Sequence, residues 1–273
     1  RQSIATDSAP LRRLMTPSAA LLALAQFSAS TTMISEPLTE GHEANPFVIS
    51  QEIRDRASDL LSQMTLEEKI GQLIQFSADV ATGPSHEPIS PEELLSQGGL
   101  GSILNTTGAA KINRLHKVAL EKSRLQIPLI FGLDVIHGYR TTFPISLGLS
   151  CSWNTDLIRR TARAAAVEAT SEGIRWTFAP MVDVCRDARW GRMMETAGED
   201  PFLSSKIAQA YVRGYQGDDL KSPTSMIACA KHYAAYGAVE SGKEYNLTDI
   251  SQRTLREVHL PGFNAAVEAG VGT

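Results

Sequence analysis

Thr177–Pro201 reads T-F-A-P-M-V-D-V-C-R-D-A-R-W-G-R-M-M-E-T-A-G-E-D-P, a stretch that starts as a strand and ends as a loop crowded with charge. Phe178, Met181, Val182 and Val184 have the apolar character of a core. Past them come Arg186, Asp187, Arg189, Arg192, Glu195, Glu199 and Asp200, with Trp190 among them. So many charges just beyond a strand are costly to bury unless they pair or meet a polar ligand. Charged groups gathered at a strand end and flanked by glycines are how an α/β enzyme builds a pocket for a polar substrate. The competing reading is a structural ion-pair network beneath a loop.

Working outward from this stretch, the pattern on both sides alternates between strands and helices. On the N-terminal side, Ile53, Ala57, Leu60 and Leu61 recur at helical spacing, and Thr65-Leu-Glu-Glu68 is a capping box for a second short helix. Ile70–Phe76 either continues that helix or begins the first strand. Pro91–Leu95 opens a helix, Gly101–Asn105 is a short strand, and Lys111–Leu125 is amphipathic with Ile112, Leu115, Val118 and Ala119 on one face. Pro128–Asp134 reads as a buried strand ending in an acid, Asp156–Gly173 as an Ala-rich helix, and Ile174–Val184 as the next strand. On the C-terminal side come a helix over Pro201–Tyr215, a strand over Ile227–Tyr233 and a long helix over Arg253–Ala269. About five β/α units in this rhythm predict a parallel sheet. Neither G-x-G-x-x-G nor G-x-x-x-x-G-K-[ST] occurs, so a nucleotide-binding sheet loses its support. A (β/α)8 TIM-barrel-like domain is the better reading. Its sixth strand is only approached at Ala269–Thr273, so an incomplete barrel is expected, cut before about the sixth strand.

Composition narrows the function classes. The 273 residues carry a formal net charge of −4 and no basic run, which argues against nucleic-acid binding. The cysteines Cys151, Cys185 and Cys229 are far apart with no C-x-x-C spacing, so three buried free thiols are expected rather than zinc or disulfides. No cofactor is implied, and no cluster suggests a metal. Residues 1–50 differ from the rest. Arg12 and Arg13 precede the small, apolar run Leu14–Ala29, which closes on Ser28-Ala29-Ser30, the order of a secretory signal. Pro17 and Gln26 interrupt it, and it is too short for a stable membrane span. A signal-like leader over 1–50 and a barrel domain over 51–273 are the expected division, with a periplasmic or secreted location. The first residue is Arg1, and Met15 is a candidate start.

Three strands end in groups suited to a sugar. Asp134 ends one, Arg192 and Glu195 lie beyond the second, and Lys231-His232 sits on the third. A carboxylate accepts hydroxyl protons in short charge-assisted bonds, Lys and His supply complementary groups, and Arg offers a planar fork. Asp134 has an alternative role as a helix cap. Lys231 in an apolar strand needs a carboxylate neighbour, either Glu195 or Asp134. Trp190 is a core residue or a platform for a sugar face. His116 and His137 read as structural or surface residues.

From Ile53 onward the chain resembles the N-terminal domain of glycoside hydrolase family 3, and within it the bacterial periplasmic β-glucosidase branch. The motifs that carry the resemblance are M-T-L-E-E-K-I-G-Q at Met64–Gln72, P-L-I-F-G-L-D-V-I-H-G at Pro128–Gly138 and T-F-P-I-S-L-G at Thr142–Gly148. They continue with R-D-A-R-W-G-R-M-M-E-T-A-G-E-D-P at Arg186–Pro201, K-H-Y-A-A-Y-G at Lys231–Gly237 and T-L-R-E-V-H-L-P-G-F at Thr254–Phe263. The resemblance implies a retaining exo-hydrolase acting on β-glucosides or cello-oligosaccharides. It implies that Asp134, Arg192, Lys231 and His232 hold the hydroxyls of the first sugar, and that Glu195 orients Lys231 or Arg192 from behind.

The chemistry needs two carboxyl groups about 5–5.5 Å apart. The family's nucleophile lies in an S-D-W-type motif that these residues do not contain, and its acid/base usually comes from a following domain. No catalytic residue is therefore assigned here: both are expected beyond Thr273, and Asp183 and Asp187 read as structural. The second His of the related N-acetylglucosaminidases is replaced by Tyr236, which disfavours that branch. β-Xylosidase remains an alternative activity, and a non-catalytic carbohydrate-binding remnant is the alternative outside enzymes.

Overall fold

The computed structural model describes residues 50–77 and 90–273. The predicted leader, apart from Ser50, lies outside the described residues.

Local capping decides where the helices begin. The Ser50 side chain accepts from the Ile53 amide at the start of α1, Gln51–Gln63. Thr65 and Glu68 form the reciprocal capping box read from the sequence and open α2, Leu66–Gln72. The apolar run that followed is divided, ending α2 and then entering β1, Gln75–Ser77. Ser90 caps α3, Pro91–Ser96, with proline at its first position, where a missing N–H costs nothing. Then come β2, Ser102–Leu104, α4, Ala109–Lys122, and β3, Ile130–Leu133. α4 buries Ile112, Leu115, Val118 and Ala119, the face its periodicity predicted. Short α5, Ser146–Ser150, leads to α6, Thr155–Ser171, and to β4, Trp176–Thr177. Asp200 caps α7, Pro201–Gln216, and α8 spans Pro261–Glu268.

The four strands lie in the order β1-β2-β3-β4, every pair parallel. This is an α/β fold with helices connecting parallel strands. Beyond β4 the pairing continues as single parallel bridges, Trp176 with Ile227 and Met181 with Lys231. Thr273 then exchanges backbone hydrogen bonds with Ala228 and Ala230. One apolar core joins Ile103 and Phe131 of the sheet to Leu115 of α4, Ile158 of α6 and Val212 of α7. The alanines of α6 allow α7 to approach closely. A Cβ on Gly214 of α7 would sit 2.5 Å from the Arg159 carbonyl oxygen and 2.6 Å from the Ala162 Cβ.

Two anchors, the first of them buried, fix the loop that follows β3 and begins at Asp134. The fully buried Tyr215 hydroxyl donates to the carbonyls of Val135 at 2.7 Å and Ile136 at 3.1 Å. Further along, Glu168 of α6 accepts from the amides of Arg140 and Thr141, both at 2.9 Å. Glu172 accepts from the Tyr139 hydroxyl, the Arg140 guanidinium and the Gly108 amide, and these donors hold its carboxyl below the usual carboxylate range.

Several expectations need correction. The strand expected over Ile174–Val184 keeps regular ladder pairing only at Trp176–Thr177; beyond it the backbone bonds singly, Phe178 to Leu133 and Val182 to Lys231, and Pro180 has no N–H to contribute. The Ile227–Tyr233 segment is likewise held by isolated bridges rather than a named strand. The long helix expected over Arg253–Ala269 is broken into a turn at Gln252–Thr254, a π-helical turn at Leu255–His259, and α8. Pro261 is the cause: it cannot donate to the preceding turn, and Leu260 bonds back five residues to the Leu255 carbonyl. α1 has helical spacing but buries none of its residues. Of the three thiols only Cys185 is buried, with Cys229 half-buried and Cys151 exposed; all three are free.

Two histidines make stability sensitive to mild acid. His116 packs edge-on against Phe131 at 5.0 Å between ring centroids, and His259 is buried at the end of the π-helical turn. Burial pushes both imidazoles below their ordinary value of 6.5. The unfolded chain therefore binds more protons than the folded one as pH falls through and below about 6.5, so stability is lost in that window. The urea midpoint is expected to fall between pH 7.5 and 5.5, and His116→Phe to flatten the slope. An identical midpoint across this range would contradict the assignment.

Candidate functional site

The residues singled out in the sequence meet beyond one end of the sheet. Asp134 directly follows β3, and Lys231 bridges to Met181 in the extension of β4. The Lys231 Nζ lies 2.7 Å from Asp134 Oδ1. This answers which carboxylate serves the lysine: it is Asp134, whose side chain is 48% exposed, whereas that of Lys231 is 14% exposed.

Arg192 is held by Glu195 through two parallel bonds, Nε to Oε1 at 2.8 Å and Nη2 to Oε2 at 2.7 Å. A 3-10 turn over Met193–Glu195 brings the pair together at a spacing of three. The bidentate clamp raises the Arg192 pKa and lowers that of Glu195, with Lys231 and His232 adding to the lowering of Glu195. Glu195 thus orients the arginine and acts on Lys231 only through its field. The guanidinium also lies over the Tyr236 ring, 5.6 Å from its centroid.

His232 is fixed from behind by Asp183, a carboxylate with no side-chain exposure. Asp183 Oδ2 accepts from the His232 amide at 2.9 Å and faces Nδ1 at 3.0 Å. A carboxylate oxygen can only accept, so Nδ1 carries a proton, and Nε2 is the ring nitrogen left facing Arg192. That nitrogen lies 3.4 Å from Arg192 Nη1. The Tyr236 ring packs edge-on against His232 at 5.0 Å and against Trp190 at 5.0 Å.

The charged stretch therefore divides between this cluster and a separate set of structural pairs. Asp187 pairs with Arg189, whose hydrogen bonds hold the aspartate at about 2. Asp200 caps α7, and the Arg186 Nε donates to the Glu199 carbonyl. Trp190 is 1% exposed and its Nε1 donates to Glu244 Oε2 at 2.7 Å, which makes it core rather than platform. His137 Nδ1 contacts the Phe143 carbonyl, a structural role within the loop after β3.

Sequence reasoning missed Tyr236 as the ring against which both His232 and Arg192 rest, and read Asp183 only as structural. Asp183 carried the signal already used for Lys231, a charged residue inside an apolar run, Pro180-Met-Val-Asp183-Val. Tyr236 carried none, because a tyrosine at a loop start is common.

This arrangement offers a neutral polar ligand two kinds of group. Lys231 and Arg192 are donors and Asp134 is an acceptor, with the His232 Nε2 beside them. The Lys231–Asp134 and Arg192–Glu195 pairs each cancel, which suits the surroundings to an uncharged polar molecule. Among the described residues no group of three His, Cys, Asp or Glu is placed to hold a metal ion.

Comparison with known proteins gives a consistent picture. Residues 65–273 match the profile described as Glycosyl hydrolase family 3 N terminal domain. A periplasmic beta-glucosidase of Salmonella typhimurium is 42% identical over 240 residues, covering 88% of this chain and 30% of that protein. A beta-xylosidase of Formosa agariphila is 34% identical over 227 residues, covering 82% of this chain and 27% of its own length. The crystal structure of a beta-glucosidase from Listeria innocua in complex with glucose superposes with a TM-score of 0.73 at 42% identity, covering 80% of this chain and 32% of that one. The chain thus spans about a third of the length of such relatives.

Proposed function

The chain belongs to glycoside hydrolase family 3, matching its N-terminal domain, and from that premise we propose that it is the sugar-gripping part of a β-glucosidase releasing β-linked glucose from non-reducing ends with retention. The observation that carries this reading is the convergence of Lys231, paired with Asp134 at 2.7 Å, and Arg192, beside His232, beyond one end of the sheet. On this reading Asp134 accepts hydrogen bonds from hydroxyls of the glucose ring, Lys231 and Arg192 donate to its oxygens, and the His232 Nε2 meets a further hydroxyl. The parallel sheet is then the first part of a (β/α)8 barrel.

The nucleophile and the acid/base are supplied by residues other than these 273. The carboxylates present around the site support this: each already has a partner. Asp134 is paired with Lys231, Glu195 is clamped by Arg192, Asp183 is buried against His232 and Asp187 is held by Arg189. A carboxylate held ionised by a bidentate arginine is a poor general acid and a poor nucleophile. A periplasmic or secreted location is supported by the Salmonella relative and by the basic, apolar, small order of residues 12–30. The Formosa relative favours β-xylosidase as a second reading, in which the sugar lacks the hydroxymethyl arm.

The test has two parts. This chain should bind glucose by ligand-observed NMR yet leave p-nitrophenyl β-glucoside intact. A longer protein containing it should hydrolyse the glucoside faster than the β-xyloside. Hydrolysis by this chain alone would overturn the placement of the catalytic carboxyls, and faster hydrolysis of the xyloside would reverse the sugar assignment.

A further inference from the structure

The solvent side of α7 carries a charge pattern that nothing in the fold uses. α7 contains no acidic residue, and its two charged side chains, Lys206 and Arg213, are both cations. They stand seven residues apart, about two helical turns, with Gln209 between them on the same side. The other side of the helix, with Ile207, Tyr211 and Tyr215, is buried. Lys206 and Arg213 are exposed, and neither has a carboxylate partner among the described residues. An acid four residues before each cation would pair with it, but those positions hold Phe202 and Gln209.

The first two turns of α6 form the opposite wall. Thr155, Asp156 and Arg159 line, together with Lys206, Gln209 and Arg213, a groove of about 380 Å³. That volume falls in the range of about 300–1,000 Å³ usual for small-molecule sites. Three cations meet one carboxylate there, in a chain whose formal net charge is −4. The carboxylate is already shared, Asp156 lying 2.8 Å from Arg159 and 3.9 Å from Arg160. The Lys206 ammonium stands over the Phe202 ring, 5.3 Å from its centroid. Arg213 and Lys206 thus leave an unbalanced positive charge along one wall of a groove.

We propose that the groove between α6 and α7 binds an anionic sugar, a ring bearing a carboxylate or a phosphate. The Arg213 guanidinium offers a planar fork for two oxygens of either anion, and Lys206 adds a point charge. Thr155 and Gln209 each both donate and accept, as ring hydroxyls require. An uncharged sugar would leave the two cations unanswered, and a bare inorganic anion would leave the hydroxyl-binding groups unused. The groove shares no residue with the cluster of Asp134, Arg192, Lys231 and His232, so it stands whether or not that cluster holds glucose.

The experiment titrates the chain with glucuronate, glucose 6-phosphate, glucose and inorganic phosphate, following the NMR signals of Thr155, Gln209 and Arg213, and repeats this with Lys206→Gln and Arg213→Gln. Both side chains are exposed, so the urea midpoint of each variant should match the wild type. At least one sugar anion is expected to shift the groove signals, while glucose leaves them in place. Each variant should weaken that binding about 10-fold, the lower end for a charge-assisted hydrogen bond. Inorganic phosphate should bind the wild type about 10-fold more weakly than the sugar anion. Inorganic phosphate binding as tightly as glucose 6-phosphate would mean an adventitious ion only and would overturn the proposal. Unchanged affinity in both variants, or sugar anions that shift signals around Asp134 and none in the groove, would overturn it as well.

Discussion

Lys231→Met abolishes detectable glucose binding and leaves the chain as stable as the wild type, or more so. The two halves of this expectation come from one geometry. The Lys231 side chain is 14% exposed, so its ammonium gives up most of its hydration to meet Asp134. Replacing both members of such a pair by apolar side chains is typically neutral or stabilising, by about 1–4 kcal/mol, and removing one member costs stability chiefly through the charge left behind. The usual penalty for the abandoned partner is small here, because the Asp134 side chain is 48% exposed and water can solvate it. Binding behaves differently. The sugar loses the lysine's donors and the orientation that lysine imposes on Asp134, at about 1.5–3 kcal/mol for each hydrogen bond to a charged group. Two such bonds correspond to about a 10²–10⁴-fold loss of affinity. The check is a glucose titration and a urea melt on the same preparation. Retained glucose binding together with a drop of several kcal/mol in stability would make the pair a structural strut.

The pairing of Lys231 was legible in the sequence because a lysine within the apolar run Ile227-Ala-Cys-Ala-Lys231 conflicts with the local pattern, and the conflict called for a carboxylate partner, which is Asp134. The helices were legible for the opposite reason. Thr65 with Glu68, Ser90 before Pro91 and Asp200 before Pro201 agree with the pattern around them, and each starts a helix where it was read. Strand lengths were less legible. Apolar composition alone does not reveal that Pro180 interrupts the ladder after Thr177, or that Lys231 pairs through a single bridge. Pro261 was visible, yet the apolar spacing around it suggested an unbroken helix; the missing N–H outweighed the periodicity. The contacts of Tyr236 and Tyr245 were beyond reach. They depend on how the loop from 233 to 247 folds back over Trp190, which no period of the sequence encodes.

Asp183→Ala should cost about 3–5 kcal/mol of stability and release His232, whereas Asp183→Asn should cost far less and keep the ring in place. Asp183 is buried, and one oxygen accepts both the backbone amide and the Nδ1 proton of His232. Alanine leaves both donors without a partner and opens a cavity, and each buried unsatisfied group costs about 1–3 kcal/mol. Asparagine keeps a carbonyl oxygen where Oδ2 stood, so both bonds survive, while the charge is lost and an amide NH2 replaces the unpaired Oδ1. The comparison therefore separates what the hydrogen bonds do from what the charge does. The charge has its own reporter in His259. Asp183 Oδ1 and His259 Nδ1 are both buried without a hydrogen-bond partner among the described residues. Burial lowers the His259 pKa, and the negative charge of Asp183 works against that lowering. Removing the charge in Asp183→Asn should move the His259 titration to still lower pH, while the His232 ring keeps its proton on Nδ1. Nitrogen-15 NMR of the two imidazoles reads both. A His259 titration that stays put would place Asp183 outside its electrostatic reach, and a His232 proton that moves to Nε2 would show that the charge, rather than the accepting oxygen, sets the tautomer that faces the sugar.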